Sequence, residues 1–304
     1  MVSSGSKIRT VKSAFRRLRR SVLLQNRRPL HEVPDVRGKV FVFLGGLHRS
    51  GTSILHRVLR AHPSVSGFSK TGVQQDEGQH LQTVFPSAIG LGGPGRFAFY
   101  TGSHLTEESA CVSESNTGRL LREWGAYLDL SKKVYIEKSP PNLLRARMLQ
   151  ALVPGSRFVF VVRHPLAVSL ATQKWSKTSL VELLLHWFVA HSILASDLQY
   201  IDNALVLRYE DFVRKPELAL EGICAFVGID TVVPDERIQD RNESYLADWA
   251  ATSDSELGVL DTAFPSIRAF ARKLGYRFDV PYCEDLPDAT SLCTTLKTMT
   301  SGSS

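Results

Sequence analysis

Apolar residues along this chain follow two periods, and the change from one to the other marks out its elements. Short apolar runs read as strands buried on both faces: 40–44 (VFVFL), 133–137, 157–162 (RFVFVV) and 204–207. Between them, apolar positions recur three and four residues apart. Ile54, Leu55, Val58 and Leu59 share one helical face, and Leu180, Leu184, Trp187, His191, Leu194 and Leu198 share another over 180–200. Further helices are predicted at 117–128, 141–151 and 217–227, and Pro154-Gly155 turns the chain into the strongest strand. Residues 64–116 are polar and Gly-rich, carry neither period and read as mostly loop. Buried runs alternating with helices predict an α/β fold: a central, mainly parallel sheet flanked by helices in three layers. Ligands of such sheets sit beyond the carboxyl ends of the strands. The turn after residue 44, Lys138, Arg163 and Tyr209 all fall there, so they can converge on one edge.

The turn after the first strand is the most informative stretch. Residues 40–61 read VFVFLGGLHRSGTSILHRVLRA, a strand, a Gly- and hydroxyl-rich turn, and an amphipathic helix. That order makes an anion cradle, because the loop and the first helical turn aim unpaired backbone N–H groups at one spot. From Gly46 to Ser53 the spacing fits the phosphate loop G-x-x-x-x-G-K-[ST], except that Thr52 stands where the lysine belongs. A nucleoside triphosphatase needs that lysine at its β- and γ-phosphates. This loop offers instead its amides, the hydroxyls of Ser50, Thr52 and Ser53 beside Gly51, and a cation placed earlier, Arg49. The fold expected is therefore P-loop-like.

Charge changes the picture only at one end. The 304 residues carry a formal net charge of +7, but residues 1–28 hold nine Lys or Arg and no acid. The rest is close to neutral, so the basicity is no argument for nucleic-acid binding. Ile8, Val11, Phe15, Leu18 and Val22 lay a narrow apolar stripe along this basic arm, residues 1–30. It reads as a helix packed on the protein's own surface, a solvated arm, a membrane-surface helix, or an Arg-rich targeting segment. No run of 18 apolar residues and no secretory signal is visible, so no membrane-spanning helix is expected and the chain is expected in the cytoplasm, with membrane contact through the arm. Four cysteines lack metal-ligand spacing. Cys224 reads as buried, while Cys283 and Cys293 could pair in an oxidising compartment. The Ser/Thr-rich residues 283–304 are expected to be disordered.

At this point the residues carry a resemblance. GLHRSGTSILHRVL is similar to the 5′-phosphosulfate loop of sulfotransferases that use 3′-phosphoadenosine 5′-phosphosulfate (PAPS), in the branch holding tyrosylprotein and bacterial small-molecule sulfotransferases. YIEKSPPN (135–142), FVFVVRHPLAVSLA (158–171) and LVLRYEDFVRKP (205–216) agree with that family in order and spacing. The likeness spans roughly residues 39–281, which implies one catalytic domain over 36–282. It implies PAPS as co-substrate, no metal, and transfer of the sulfuryl group in line to a hydroxyl, less readily an amine. A small molecule, glycan, lipid or peptide would serve as acceptor, and the long loop at 64–116 is the first candidate for touching it.

The resemblance also implies roles. Arg49, Ser50, Gly51, Thr52 and Ser53 would hold the phosphosulfate. Arg163 would grip the 3′-phosphate through its two parallel N–H groups. The family pairs that arginine with a hydroxyl eight residues on; here the position is Ala171, so the pattern is broken, and Ser169 and Thr172, which flank it on the same predicted helix, are the alternatives. Lys138 would stabilise charge on the bridging oxygen, and Tyr209 would pack near the adenine. The acceptor hydroxyl must lose a proton. The family's glutamate base aligns with Ser69-Lys70, which cannot act, so Glu77 is the first choice, then His80, then Asp76. His48, His56 and His62 read as packing or surface residues. Two other classes stay open: a P-loop nucleotide or small-molecule kinase, disfavoured by the missing lysine, and a sulfotransferase-like binding protein without a working base.

Overall fold

Five strands form a single parallel sheet: β1 (Val40–Gly46), β2 (Val65–Gly67), β3 (Val134–Lys138), β4 (Arg157–Val162) and β5 (Ala204–Arg208). Their order is β2-β3-β1-β4-β5. The computed structural model describes residues 32–234, 238–242, 244, 245, 265–278 and 289–301. The helices are α1 (Thr52–Arg60), α2 (Glu114–Gly125), α3 (Ala146–Leu152), α4 (Pro165–Gln173), α5 (Leu180–Asp197), α6 (Tyr209–Arg214), α7 (Pro216–Val227), α8 (Pro265–Lys273) and α9 (Ala289–Ser301).

Strand side chains alternate between two cores, as the two-residue period of a strand requires. Phe41, Phe43, Phe158 and Phe160 face one side, where Phe43 and Phe158 stack at 5.4 Å, and meet Trp124 of α2, Leu149 of α3 and Trp187 of α5. Val42, Leu44, Val159 and Val161 face the other and meet Leu55 and Leu59 of α1 and Leu220 and Ile223 of α7. Both faces of the central strands are covered, which is why the strands read as solid apolar runs. The three-layer expectation holds. On composition alone the segment 180–200 is long and apolar enough to cross a membrane. In the fold it is a core helix, begun by a Ser179–Glu182 capping box, with Trp187 and Leu194 fully buried.

Element ends shift where local chemistry intervenes. The helix expected at 141–151 breaks into a 3₁₀ turn (Pro140–Leu144) and α3 at Arg145, whose backbone leaves the helical region (φ −129°, ψ 5°). The stretch 64–116, expected as mostly loop, also holds β2 and the first residues of α2; between them residues 68–113 contain no α-helix or strand, yet they are not a solvated loop. Phe68, Leu81, Phe85 and Phe97 are buried there, and short 3₁₀ turns bring 74–80 against the end of β3. The disorder expected at 283–304 is corrected over 289–301. Helix α9 packs against β5 and α5 with Leu292 and Leu296 buried, a spacing of one helical turn within the Ser/Thr-rich stretch. The basic arm over 1–30 and Cys283 lie outside the described residues.

Candidate active site

β1 ends between β3 and β4, so its carboxyl end is the point where successive connections leave in opposite directions. The loop that follows is closed by Ser50, whose N–H and hydroxyl both donate to the carbonyl of Leu47 at 3.0 and 2.7 Å. The Ser50 hydroxyl is thereby spent on the turn instead of facing a ligand. Gly51 adopts φ 101°, and a Cβ there would come within 2.5 Å of the Tyr209 ring. Only glycine meets both demands. Helix α1 begins at Thr52, and its first N–H groups and dipole face the space beyond the sheet. Arg49 takes the left-handed region at φ 72° and lays its guanidinium 5.0 Å from the Trp175 ring centroid.

Arg163 follows β4 and braces this loop. Its Nη1 donates to the carbonyl of Arg49 at 2.6 Å, and its guanidinium lies 4.2 Å from the Tyr209 ring centroid. Its Nε donates to Oδ1 of Asn242 at 2.7 Å, while Nη2 is buried with no hydrogen-bond partner among the described residues. Asn242 is fixed in turn, donating to Oε1 of Glu210 at 2.6 Å. Tyr209 donates its phenol to the carbonyl of Gln239 at 3.2 Å. Residues 238–242 therefore cross the edge of the sheet as a tied strap.

At the end of β3, Lys138 donates to Oε1 of Glu77 at 3.1 Å and to the carbonyl of Gln75 at 3.2 Å. Both partners of the ion pair are buried. One cavity of about 490 Å³ takes in Arg49, Gly51, Thr52, Ser53, Glu77, Lys138, Arg163 and Tyr209, so the structure brings these sequence-predicted residues together. A second hollow of about 370 Å³ continues past Ser53, Arg57, Gln75 and Lys138 toward Arg60 and Phe68.

The other expected residues stand elsewhere. Asp76 is off the main cavity, on the wall of the second hollow, and accepts from the N–H groups of Lys70 and Thr71 and from the Thr71 hydroxyl. Burial alone would push its carboxyl up, but those bonds outweigh it and hold the group below its ordinary range. It therefore serves to fold the loop. His80 sits 3.7 Å from Glu77, off the cavity wall, and burial lowers its imidazole against the attraction of Glu77.

Ser169 and Thr172 are likewise corrected. Both line a separate small void beside His48 and His186, whereas Ala171 faces the main cavity. A helix turns about 100° per residue, so the position that faces the cavity puts its neighbours on other faces.

Sequence reasoning missed part of the wall. His48, Trp175, Arg241 and Tyr245 line the cavity. His48 also packs against Phe97 and Trp175, and burial, with Lys138 and Arg49 nearby, lowers its imidazole to about 3. Its place inside the loop, one residue before Arg49, was the available signal.

The chain is 22% identical over 288 residues to protein-tyrosine sulfotransferase A of Caenorhabditis elegans, covering 82% of this chain and 72% of that one. Among solved structures it is similar to a sulfotransferase from Alicyclobacillus acidocaldarius (17% identity, TM-score 0.43, 76% of this chain and 99% of that one). It is similar also to the sulfotransferase domain of the curacin biosynthetic pathway (17% identity, TM-score 0.46, 79% and 98%). Residues 42–234 match the model of the sulfotransferase family, from β1 through the strap's approach, and with well over half of its length in that match the chain belongs to the sulfotransferase family.

Proposed function

We propose that this sulfotransferase moves the sulfuryl group of PAPS to an acceptor hydroxyl by in-line displacement, with Glu77 as base. The observation that carries the reading is the buried Glu77–Lys138 pair on the wall shared with a phosphate loop that has Thr52 in place of lysine. The donor supplies a sulfuryl group joined through oxygen to a phosphate. Its two anions match two cations on one cavity wall, Arg49 of the loop and the Arg163 guanidinium, whose Nη2 has no hydrogen-bond partner among the described residues.

The chain's own residues then divide the work. The amides of the loop and the side chains of Arg49, Thr52 and Ser53 hold the phosphosulfate end. Arg163 holds the 3′-phosphate with Tyr209 against it, and the strap at 238–242 keeps the guanidinium in place. Glu77 takes the proton of the acceptor hydroxyl as its oxygen bonds to sulfur and the bond from sulfur to the bridging oxygen breaks. Lys138 has three N–H donors, two of them used by Glu77 and Gln75. The third serves the negative charge that collects on the bridging oxygen, a donor whose loss costs about 10²–10³ in rate. The acceptor approaches from the hollow beyond Lys138, along the loop that carries Gln75.

Labelled PAPS supplied with a phenol, a glycan, a lipid alcohol and a tyrosyl peptide tests this directly. The expected result is label on one of them, with equimolar adenosine 3′,5′-bisphosphate and no added metal. Tight binding of ATP with Mg²⁺ and no release of the bisphosphate with any acceptor would overturn the reading in favour of a kinase.

A further inference from the structure

Three successive residues at the end of β3 each hold one part of the turn that bears Glu77. Lys138 holds Glu77 itself. Glu137 holds Gly78, whose N–H donates to Oε1 at 2.8 Å. Ser139 holds Gln79, whose N–H donates to Oγ at 3.1 Å. The set closes on itself, since Nε2 of Gln79 donates to Oε2 of Glu77 at 2.6 Å and the indole N–H of Trp124 donates to the carbonyl of Gly78 at 3.0 Å.

Glu137 is the centre of this arrangement. It is buried, and it accepts from the Gly78 N–H, the Ser139 hydroxyl and Nδ2 of Asn142. The same Nδ2 donates to the carbonyl of Leu44 at 3.0 Å, where β1 runs out into the phosphate loop. One carboxylate thus joins the turn carrying the base to the strand exit carrying the donor loop. The contact is close: a Cβ on Gly78 would come within 2.5 Å of the Glu137 side chain, so glycine lets the turn lie directly on it. A buried carboxylate is costly to keep unless its acceptors are filled, and here three donors fill them.

We infer that Glu137 is a positioning residue for transfer: it fixes the place of Glu77 relative to the donor loop without touching either substrate. The inference rests on the reading of Glu77 as base. A reacting group displaced by about 1 Å can lose about 10²-fold in rate. Residues acting through one another show that dependence as non-additivity.

The test is a double-mutant cycle on the full chain. Glu137→Gln keeps the shape but puts an NH₂ where an acceptor is needed. It is expected to lower kcat by about 10²-fold, to leave binding of adenosine 3′,5′-bisphosphate at the parent value, and to cost nothing further in a Glu77→Gln background. An equal loss of kcat in both backgrounds, or a collapse of bisphosphate binding, overturns the assignment. The base reading fails separately, through a Glu77→Gln single variant that transfers at the parent rate. If Glu137→Gln does not fold, Gly78→Ala presses on the same contact from the other side and must show the same dependence on Glu77.

Discussion

Nζ of Lys138 and Oε1 of Glu77 stand 3.1 Å apart with both side chains buried at the cavity wall. Removing one partner of a buried ion pair leaves a charge without compensation, at about 3–5 kcal/mol, whereas removing both often costs little. Lys138→Met is therefore expected to unfold at clearly lower urea than the parent. Adding Glu77→Leu to it should recover much of the loss. Two single losses that simply add in the double variant would show that the pair is not coupled.

The same two residues act differently in turnover. Glu77→Gln keeps the contact to Lys138 but removes the proton acceptor. Transfer should fall by about 10²–10⁴, the usual worth of a general base, with bisphosphate affinity near the parent value. His80→Ala should leave transfer largely intact, because His80 stands behind Glu77 and off the cavity. A rate that survives the first change and collapses with the second would move the base to His80.

Arg163 reaches the donor loop and the strap at once. Arg163→Ala should weaken adenosine 3′,5′-bisphosphate about 10- to 100-fold, the worth of a hydrogen bond to a charged group. A nucleotide lacking the 3′-phosphate should lose far less. Calorimetry on the two ligands decides it, and equal losses would remove the 3′-phosphate from Arg163.

The layered sheet was legible because β1, β3 and β4 are buried on both faces and so carry uninterrupted apolar runs. The convergence of Thr52, Lys138, Arg163 and Tyr209 followed from their places after those strands. What failed were questions of direction. Choosing between Asp76 and Glu77 depends on left-handed backbone at Gln75 and Asp76 (φ 54° and 51°), which neither residue type announces. The hold of Asn242 on Arg163 spans 79 residues and leaves no local pattern. Glu137 stood in plain view beside Lys138, but only the fold places Gly78 against it.

Ala171 occupies the face of α4 that borders the cavity, and its neighbours Ser169 and Thr172 do not. Ala171→Ser would return a hydroxyl to the family's position. Bisphosphate affinity should rise about two- to tenfold, as one added hydrogen bond predicts. Ser169→Ala and Thr172→Ala should leave it unchanged. A marked loss from either alanine would mean that the helix turns a hydroxyl to the ligand after all.

Acid should unfold this protein steeply, and the sign follows from its buried imidazoles. Burial lowers His48, His56 and His186 to about 3 and His191 to about 4, below their ordinary value of 6.5. These groups are neutral in the fold and charge on unfolding, so the stability they contribute is present above 6.5 and is lost as pH falls toward 3. Glu137 works the other way. Burial raises it from 4.5 to about 7, against its bonds from Ser139, Asn142 and Gly78, so its contribution is present below 4.5 and lost as pH rises through 7. Between 4.5 and 6.5 the two effects oppose, and four imidazoles outweigh one carboxyl. Unfolding near pH 5 should therefore take up protons, so stability should slope downward as the pH falls below 6.5. Urea midpoints between pH 7.5 and 5 measure that slope. His186→Phe keeps the ring contacts to Phe97 and Phe99, and Nε2 has no hydrogen bond to lose among the described residues. It should therefore flatten the acid limb by about one proton. A midpoint that holds steady or rises from pH 7 to 5 would mean that these imidazoles already carry their protons in the fold.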